Sequence, residues 1–248
     1  YTFIQTKKKS MITSLDNKTV KQLTKLHQKK YREDSFLLCD PKLIDEARKN
    51  NYLKLLVYCG DKPFEFENSL EVSKEVLNKI AKTEEPDYLG VSKLIEDNDD
   101  YGDRIVILEH LQDPLNIGRI MEVCDLFGFD SLIMSENCAD IYNETCLNNC
   151  KGNLYKIKIA HKDLLSEIRI LQNKGYCVYA TGLRNNTREL YEVERKEKIA
   201  VVLGNEGSGV REEVMDICDE IIKIDMENID SLNVGMAASI ILYYFNSI

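Results

Sequence analysis

The clearest pattern in the chain is an unbroken apolar run, Ile199–Leu203 (IAVVL), followed at once by Gly204-Asn205-Glu206-Gly207-Ser208-Gly209. Apolar, largely β-branched residues with no polar alternation predict a strand covered on both faces of a parallel sheet. Three glycines in six residues let the backbone turn tightly and pass close to whatever lies beside it. Arg211-Glu212-Glu213 ahead of an apolar-periodic stretch predicts a helix start. Open α/β sheets hold ligands where strands end in this way. An ordinary βα turn looks the same, however, and the stretch fits neither GxGxxG nor GxxxxGK[ST].

The same alternation runs from residue 104 to the end. Strands are predicted at Arg104–Glu109, Ser131–Met134, Leu154–Ile159, Cys177–Thr181, Ile199–Leu203 and Glu220–Ile224. Helices are predicted at Ile117–Phe127, Asp140–Cys150, Leu164–Lys174, Glu212–Cys218 and Val234–Phe245. This spacing calls for an α/β domain with a parallel sheet covered on both faces. A smaller α/β unit is predicted over 11–95. It has helices at Asn17–Lys30, Pro41–Asn50 and Leu70–Ile80, and strands at Ser35–Cys39 and Leu53–Tyr58. Tyr88–Ile95 reads as one more strand or a helical turn. Glu96–Asp103 (EDNDDYGD) is polar and charged and reads as the linker. Residues 1–10 read as a disordered extension ahead of Met11.

Composition adds three limits. Hydrophobic residues make up 44% and charged residues 30% of 248 positions, which gives ample material for a core. The longest apolar run near the C-terminus, Met236–Phe245, is too short to cross a bilayer, and no apolar stretch follows Lys7-Lys8-Lys9, so no membrane partner is expected. The eight cysteines form no CxxC pair, which reads as reduced thiols in a cytoplasmic protein without a metal. Cys146 and Cys150 can share a helix face, but burial explains them more simply.

Charge is uneven. The chain carries −9, yet residues 1–32 hold nine Lys/Arg against Asp16 alone. A basic N-terminal segment on an acidic body suggests that a polyanion would be gripped there first. A solvated lysine-rich helix face gives the same composition.

Three stretches are then placed at one edge of the larger sheet, each after a strand. They are Leu111-Gln112-Asp113-Pro114-Leu115-Asn116-Ile117-Gly118-Arg119, the LGNEGSG turn, and Ile224-Asp225-Met226 with Asp230-Ser231-Leu232-Asn233-Val234. Asn116, Asn205, Glu206, Ser231 and Asn233 become one polar set at one rim. Each Asn or Ser alone would pass for a helix cap.

The order DPxNxG, VVLGNEGxG, I-x-M…SLNV-x-x-A resembles the SpoU (TrmH-type) RNA ribose 2′-O-methyltransferases of the SPOUT superfamily, over roughly 104–245. More weakly, 11–95 resembles the small RNA substrate-binding domain that many of them carry. The resemblance implies a SPOUT methyltransferase domain over 104–248 with a trefoil knot, a homodimer, and S-adenosyl-L-methionine as cofactor. It assigns Gly204, Ile224 and Leu232 to the cofactor, with Thr181, Gly182, Asn205, Gly207 and Met226 beside them. Asn116, Glu206, Ser231 and Asn233 match active-site positions. The closing helix, with Ala237, Ala238, Ile241 and Leu242, is expected to form the dimer surface, unless those residues are simply core. The implied substrate is RNA, with ribosomal RNA ranked ahead of transfer RNA.

The chain departs from the family at one place that matters. The family pattern N-x-G-x-I-x-R reads here Asn116-Ile117-Gly118-Arg119-Ile120-Met121-Glu122, with Glu122 at the arginine position. A second arginine, in R-A-S-x-G, is replaced in Asn148-Asn149-Cys150-Lys151-Gly152, and Asp225 stands for a proline. An anion in place of a cation beside phosphate is not conservative. Arg119, one helical turn from Glu122, can take the role with Lys151 assisting, or Glu122 can act as the base. The alternative is a family member that binds RNA or S-adenosylmethionine without methylating.

Overall fold

Asn17 accepts a hydrogen bond from the Thr19 N–H (2.8 Å) and so starts α1 (Lys18–Lys25). The computed structural model, which describes residues 11–83, 85–227 and 232–246, ends this helix well before the predicted Lys30. The Arg32 guanidinium takes the Leu26 and His27 carbonyls at 2.7 and 2.9 Å, and a 3-10 turn, Lys29–Tyr31, follows. Next come β1 (Ser35–Leu38), α2 (Pro41–Lys49) and β2 (Leu53–Tyr58). The predicted helix Leu70–Ile80 is split. Ser69–Glu71 forms β3, parallel to β2, and α3 (Lys74–Ala81) begins only after the Ser73 cap. Leu70 and Val72 are buried on either side of Glu71, a period of two concealed in a helix-like run. Tyr88–Lys93 is a strand, β4.

These elements form the first of two units, which divide between Leu94 and Ile95. Its sheet has the order β1-β4-β2-β3. One face is covered by α1 and α3, whose Val20, Leu23, Val76, Leu77 and Ile80 pack with Leu37, Val57, Leu89 and Val91. On α2, Ile44 packs beside the bare Gly90 of β4.

The second unit runs β5 (Arg104–Leu108), α4 (Pro114–Phe127), β6 (Ser131–Met134), α5 (Glu144–Asn149), β7 (Lys158–His161) and α6 (Leu164–Asn173). It continues through β8 (Cys177–Thr181), β9 (Arg188–Glu189), β10 (Ile199–Leu203), α7 (Glu212–Met215), β11 (Glu220–Lys223) and α8 (Val234–Asn246). The seven strands are all parallel, in the order β7-β6-β5-β10-β8-β11-β9. β10 lies between β5 and β8 with every residue buried, as its unbroken apolar run requires.

Several bounds differ from those predicted; the helices expected at Asp140–Cys150 and Glu212–Cys218 are shorter, at Glu144–Asn149 and Glu212–Met215. The strand predicted at Leu154–Ile159 begins only at Lys158, because the left-handed Gly152 (φ 91°) leads into a 3-10 turn (Asn153–Tyr155) with hydrogen bonds onto the Asn153 carbonyl. The two-residue β9 was not anticipated. α4 begins at Pro114, three residues earlier than predicted, which puts Asn116 in its first turn with Asp113 as the cap.

Residues 96–103 form no helix or strand but are fastened to the edge strand β7. The Asn98 N–H donates to the Ile159 carbonyl (2.9 Å), and Asp97 accepts from the His161 N–H (3.0 Å). Asp99 pairs with Lys162 at 2.8 Å. The passage from β11 to α8, where the knot's last part is expected, includes 228–231, outside the described residues.

Candidate functional site

The strands β8, β10 and β11 end at one edge of the sheet, and the segments leaving them, with the start of α8, define a cleft of about 640 Å³. The loop after β5 does not line it but is hydrogen-bonded to Asn205 and Glu206, which do. All eight residues assigned to the cofactor line it: Thr181, Gly182, Gly204, Asn205, Gly207, Ile224, Met226 and Leu232. Leu183, Met215, Ala237 and Ile241 line it too. Ala237 closes the SLNV-x-x-A motif, and it and Ile241 were expected at a dimer surface instead; no motif marked Leu183 or Met215. Met215 and Ile241 sit at ordinary helical core positions, so their one available signal was proximity to a motif.

The glycines are needed for space. A methyl group at Gly204 would collide with the Gly209 carbonyl carbon and the Val210 nitrogen, so the two ends of the loop touch there. At Gly182 a methyl carbon would lie 2.7 Å from Met215 Sδ. Gly209 holds φ at 70°, left-handed backbone that suits glycine. Asn205 organises the loop interior. Its Oδ1 accepts from the Gly207 and Ser208 N–H groups at 2.9 and 3.1 Å, and its Nδ2 donates to the His110 carbonyl at 2.8 Å.

A second network laces three loops together. Glu206 accepts from Asn116 Nδ2 (3.1 Å), the Asp113 N–H (3.2 Å) and the Gln112 N–H (3.4 Å). Asn116 Oδ1 accepts from Asn233 Nδ2 at 3.1 Å, and Asn233 Oδ1 caps α8 by accepting from the Gly235 N–H at 3.0 Å. Burial raises the Glu206 pKa. Hydrogen bonds from its own backbone, Asn116, Gln112 and Asp113 outweigh this and hold it below the usual carboxylate range. A carboxylate so engaged is a poor proton acceptor and a good brace. Ser231 lies outside the described residues.

Arg119 is exposed on α4, one turn after Asn116. The side of bare Gly235 where a Cβ would sit is bordered by Asn233 Oδ1, Asn116 Oδ1 and Arg119 Cβ, at 3.2, 3.6 and 3.7 Å from that position. The stem of Arg119 therefore stands beside the asparagine pair. Neither Arg119 nor Glu122 makes an ion pair or hydrogen bond among the described residues. Lys151 is exposed at φ 51°, and Asn148 is exposed on α5.

The dimer-surface expectation is corrected on residues. Ala238, Ile241 and Leu242 are 0%, 1% and 0% exposed within one chain, and Ala237 lines the cleft. They face inward because helical spacing places them on the buried side of α8, which packs against α4 and carries Phe245 onto Tyr179 of β8. The outward stripe is Met236, Ile240 and Tyr243.

A parallel sheet with a glycine-walled, partly apolar cleft at its carboxyl edge defines an α/β ligand-binding domain. The profile of the SpoU rRNA methylase family matches residues 103–243, and that of the MRM3-like substrate binding domain matches 17–90. The chain belongs to the SpoU rRNA methylase family. It is similar to the 23S rRNA (guanosine(2553)-2′-O)-methyltransferase RlmP of Bacillus subtilis, 28% identical over 243 residues, covering 94% of this chain and 98% of that one. The tRNA (guanosine(18)-2′-O)-methyltransferase of Thermus thermophilus is 35% identical over 144 residues, 57% of this chain and 73% of that one. The crystal structure of an AdoMet-bound rRNA methyltransferase from Sinorhizobium meliloti matches with a TM-score of 0.85 at 26% identity. It covers 95% of this chain and 97% of that one.

Proposed function

We propose that this protein is an RNA 2′-O-ribose methyltransferase that uses S-adenosylmethionine. The observation that carries the reading is the lacing of three loops, through Glu206, Asn116 and Asn233, at the rim of one glycine-walled cleft. The fit of the cofactor is supported by the cleft itself. It is large enough for a nucleoside-sized ligand, offers Ile224, Met226 and Leu232 to an adenine face, and exposes loop backbone to its edge.

When bound, the cofactor supplies a methyl group on a positively charged sulfur. The chain's part is alignment and proton handling. Thr181, Gly182, Gly204, Asn205, Gly207, Ile224, Met226 and Leu232 bind and orient the cofactor. Asn116, Glu206 and Asn233 hold the rim in one arrangement and so fix where the ribose enters, and Ser231 is assigned to the same active site by the family motif alone. Arg119 places a cation beside the entering 2′-hydroxyl and its phosphate, where it favours the oxyanion that forms as the proton leaves. The same catalytic domain, 104–248, contains the family's knot.

Residues 11–95 grip the RNA. On the α1 and α3 layer, Lys18, Lys25, Lys29, Lys30 and Lys82 are exposed and make no ion pair among the described residues, whereas on α2 the exposed Arg48 and Lys49 are neutralised by Asp45 and Glu46. Lys42 on α2 is exposed and makes no ion pair among the described residues either, and Lys25 and Lys30 lie over the Tyr31 ring, but the cations gathered from α1 to the turn after it suit a phosphate backbone. The relative that matches along nearly the whole chain is named for 23S rRNA, and the tRNA enzyme matches over only part of it, which supports ribosomal RNA. The active form is a cytoplasmic homodimer joined through Met236, Ile240 and Tyr243.

Calorimetry with S-adenosylmethionine, followed by methyl transfer to RNA from methylation-deficient cells and mapping of the methylated ribose, tests this. The expected result is cofactor binding and one methylated ribosomal nucleotide. Absence of binding at millimolar cofactor overturns the reading. Binding without transfer to any RNA favours the noncatalytic alternative.

A further inference from the structure

Glu109 ends the otherwise apolar stretch RIVILE, one residue beyond β5. Its side chain is 0% exposed, yet it is a carboxylate. Its partner comes from the segment after β10, the strand next to β5. Glu109 Oε2 accepts the Arg211 backbone N–H at 2.8 Å, and Oε1 accepts Arg211 Nε at 2.5 Å. The Arg211 side chain is 40% exposed and also pairs with Glu213. A fully buried carboxylate is costly to desolvate and persists only where its partners are held in place.

The place that this pair fixes is the cleft wall. Arg211 stands between Val210 and Glu212, both of which line the cleft. The next residue after Glu109 does the same at the loop's beginning. His110, at the left-handed φ of 52°, presents its carbonyl to Asn205 Nδ2 at 2.8 Å. Two adjacent residues at the exit of β5 thus tie down both ends of the 204–210 loop. Because a single added methyl at Gly204 would strike Gly209 and Val210, the loop has no slack.

We infer that Glu109 is a positioning residue for the cofactor cleft, acting through Arg211 to hold the Gly209–Val210 end of the loop closed on Gly204. This rests on the cleft being the S-adenosylmethionine site. Glu109 does not itself line the cleft. Its effect is read in the geometry of Val210 and Gly209.

The test is calorimetry of S-adenosylmethionine on the full chain, comparing wild type with Glu109→Ala, Glu109→Gln, Arg211→Lys and the Glu109→Ala/Arg211→Ala double variant. Glu109→Ala should raise Kd about tenfold or more. Glu109→Gln, which keeps the shape and one acceptor, should recover part of that loss. The double variant should be no worse than Glu109→Ala, because one interaction is removed in both. The KM for RNA should stay at its wild-type value throughout. A lowered Tm with unchanged Kd, measured well below Tm, means a merely structural pair and overturns the inference alone. If Glu109→Ala does not fold, Glu109→Gln and Arg211→Lys decide: unchanged Kd in both overturns it. A wild-type protein that binds no S-adenosylmethionine overturns the reading of the cleft and this inference together.

Discussion

Asn116 and Glu206 are 90 positions apart in sequence, and their side chains share a 3.1 Å hydrogen bond at a residue only 1% exposed. Asn116 spends its other polar atom on Asn233, so one buried amide joins the loops after β5, after β10 and before α8. Replacing Asn116 by Ala strands two partners and should cost about 1–3 kcal/mol. Asn116→Asp should be no better, because it sets a second carboxylate against Glu206. Scanning calorimetry should show both variants several degrees less stable, with methyl transfer reduced in parallel. Unchanged stability in both would remove Asn116 from the network.

Glu206 gives a pH dependence with a definite sign. Its folded pKa lies below the unfolded value, so its contribution is complete above the ordinary glutamate pKa and is lost as pH falls through the folded one. The Tm gap between wild type and Glu206→Gln should be constant across neutral pH and close in acid. A gap that widens as pH falls contradicts the assignment.

Arg119 and Glu122 should separate cleanly. Arg119→Ala is expected to lower kcat by about 100-fold or more while the S-adenosylmethionine Kd changes little. Glu122→Ala should leave most of the rate if Arg119 carries the role. A large loss in Glu122→Ala with a mild Arg119→Ala would assign the proton transfer to Glu122.

Gly204→Ala tests the cradle. The added methyl has no space between the loop's two ends, so the loop must open. Calorimetry should find S-adenosylmethionine binding lost, with the circular dichroism of the sheet retained. Normal binding would show that the cofactor sits elsewhere.

Ile240→Glu places a charge in the outward stripe of α8, between Met236 and Tyr243. Sedimentation should convert a dimer to a monomer without loss of cofactor-free stability. A variant that sediments like wild type would move the interface to another face.

Much of the larger sheet was legible because its strands are short, apolar and separated by helices of ordinary length. β10 was the plainest, since a strand buried on both faces leaves no polar position to confuse the period. Boundaries failed where side chains from outside the element decide them. No local pattern announces that Arg32 will end α1, or that Ser69–Glu71 will pair with β2 before α3 begins. The clustering of Thr181, Gly204, Ile224 and Leu232 was legible through motifs. Glu109 was not singled out, because an acid at the end of a strand reads as solvent-facing until the Arg211 partner, 102 positions away, is seen. Ala238 and Leu242 were misread for the opposite reason, since helix hydrophobicity alone does not say which neighbour covers it.

The segment 96–103 has a consequence for solubility. β7 is the last strand of a seven-stranded sheet, and an open parallel edge invites a strand from another molecule to add on. Asn98 and Asp97 occupy the Ile159 carbonyl and the His161 N–H of that edge, and Asp99 and Asp100 pair with Lys162 and Lys158 beside it. A second chain approaching to pair there meets donors and acceptors already used, so this first segment of the second unit caps the sheet's edge against another strand.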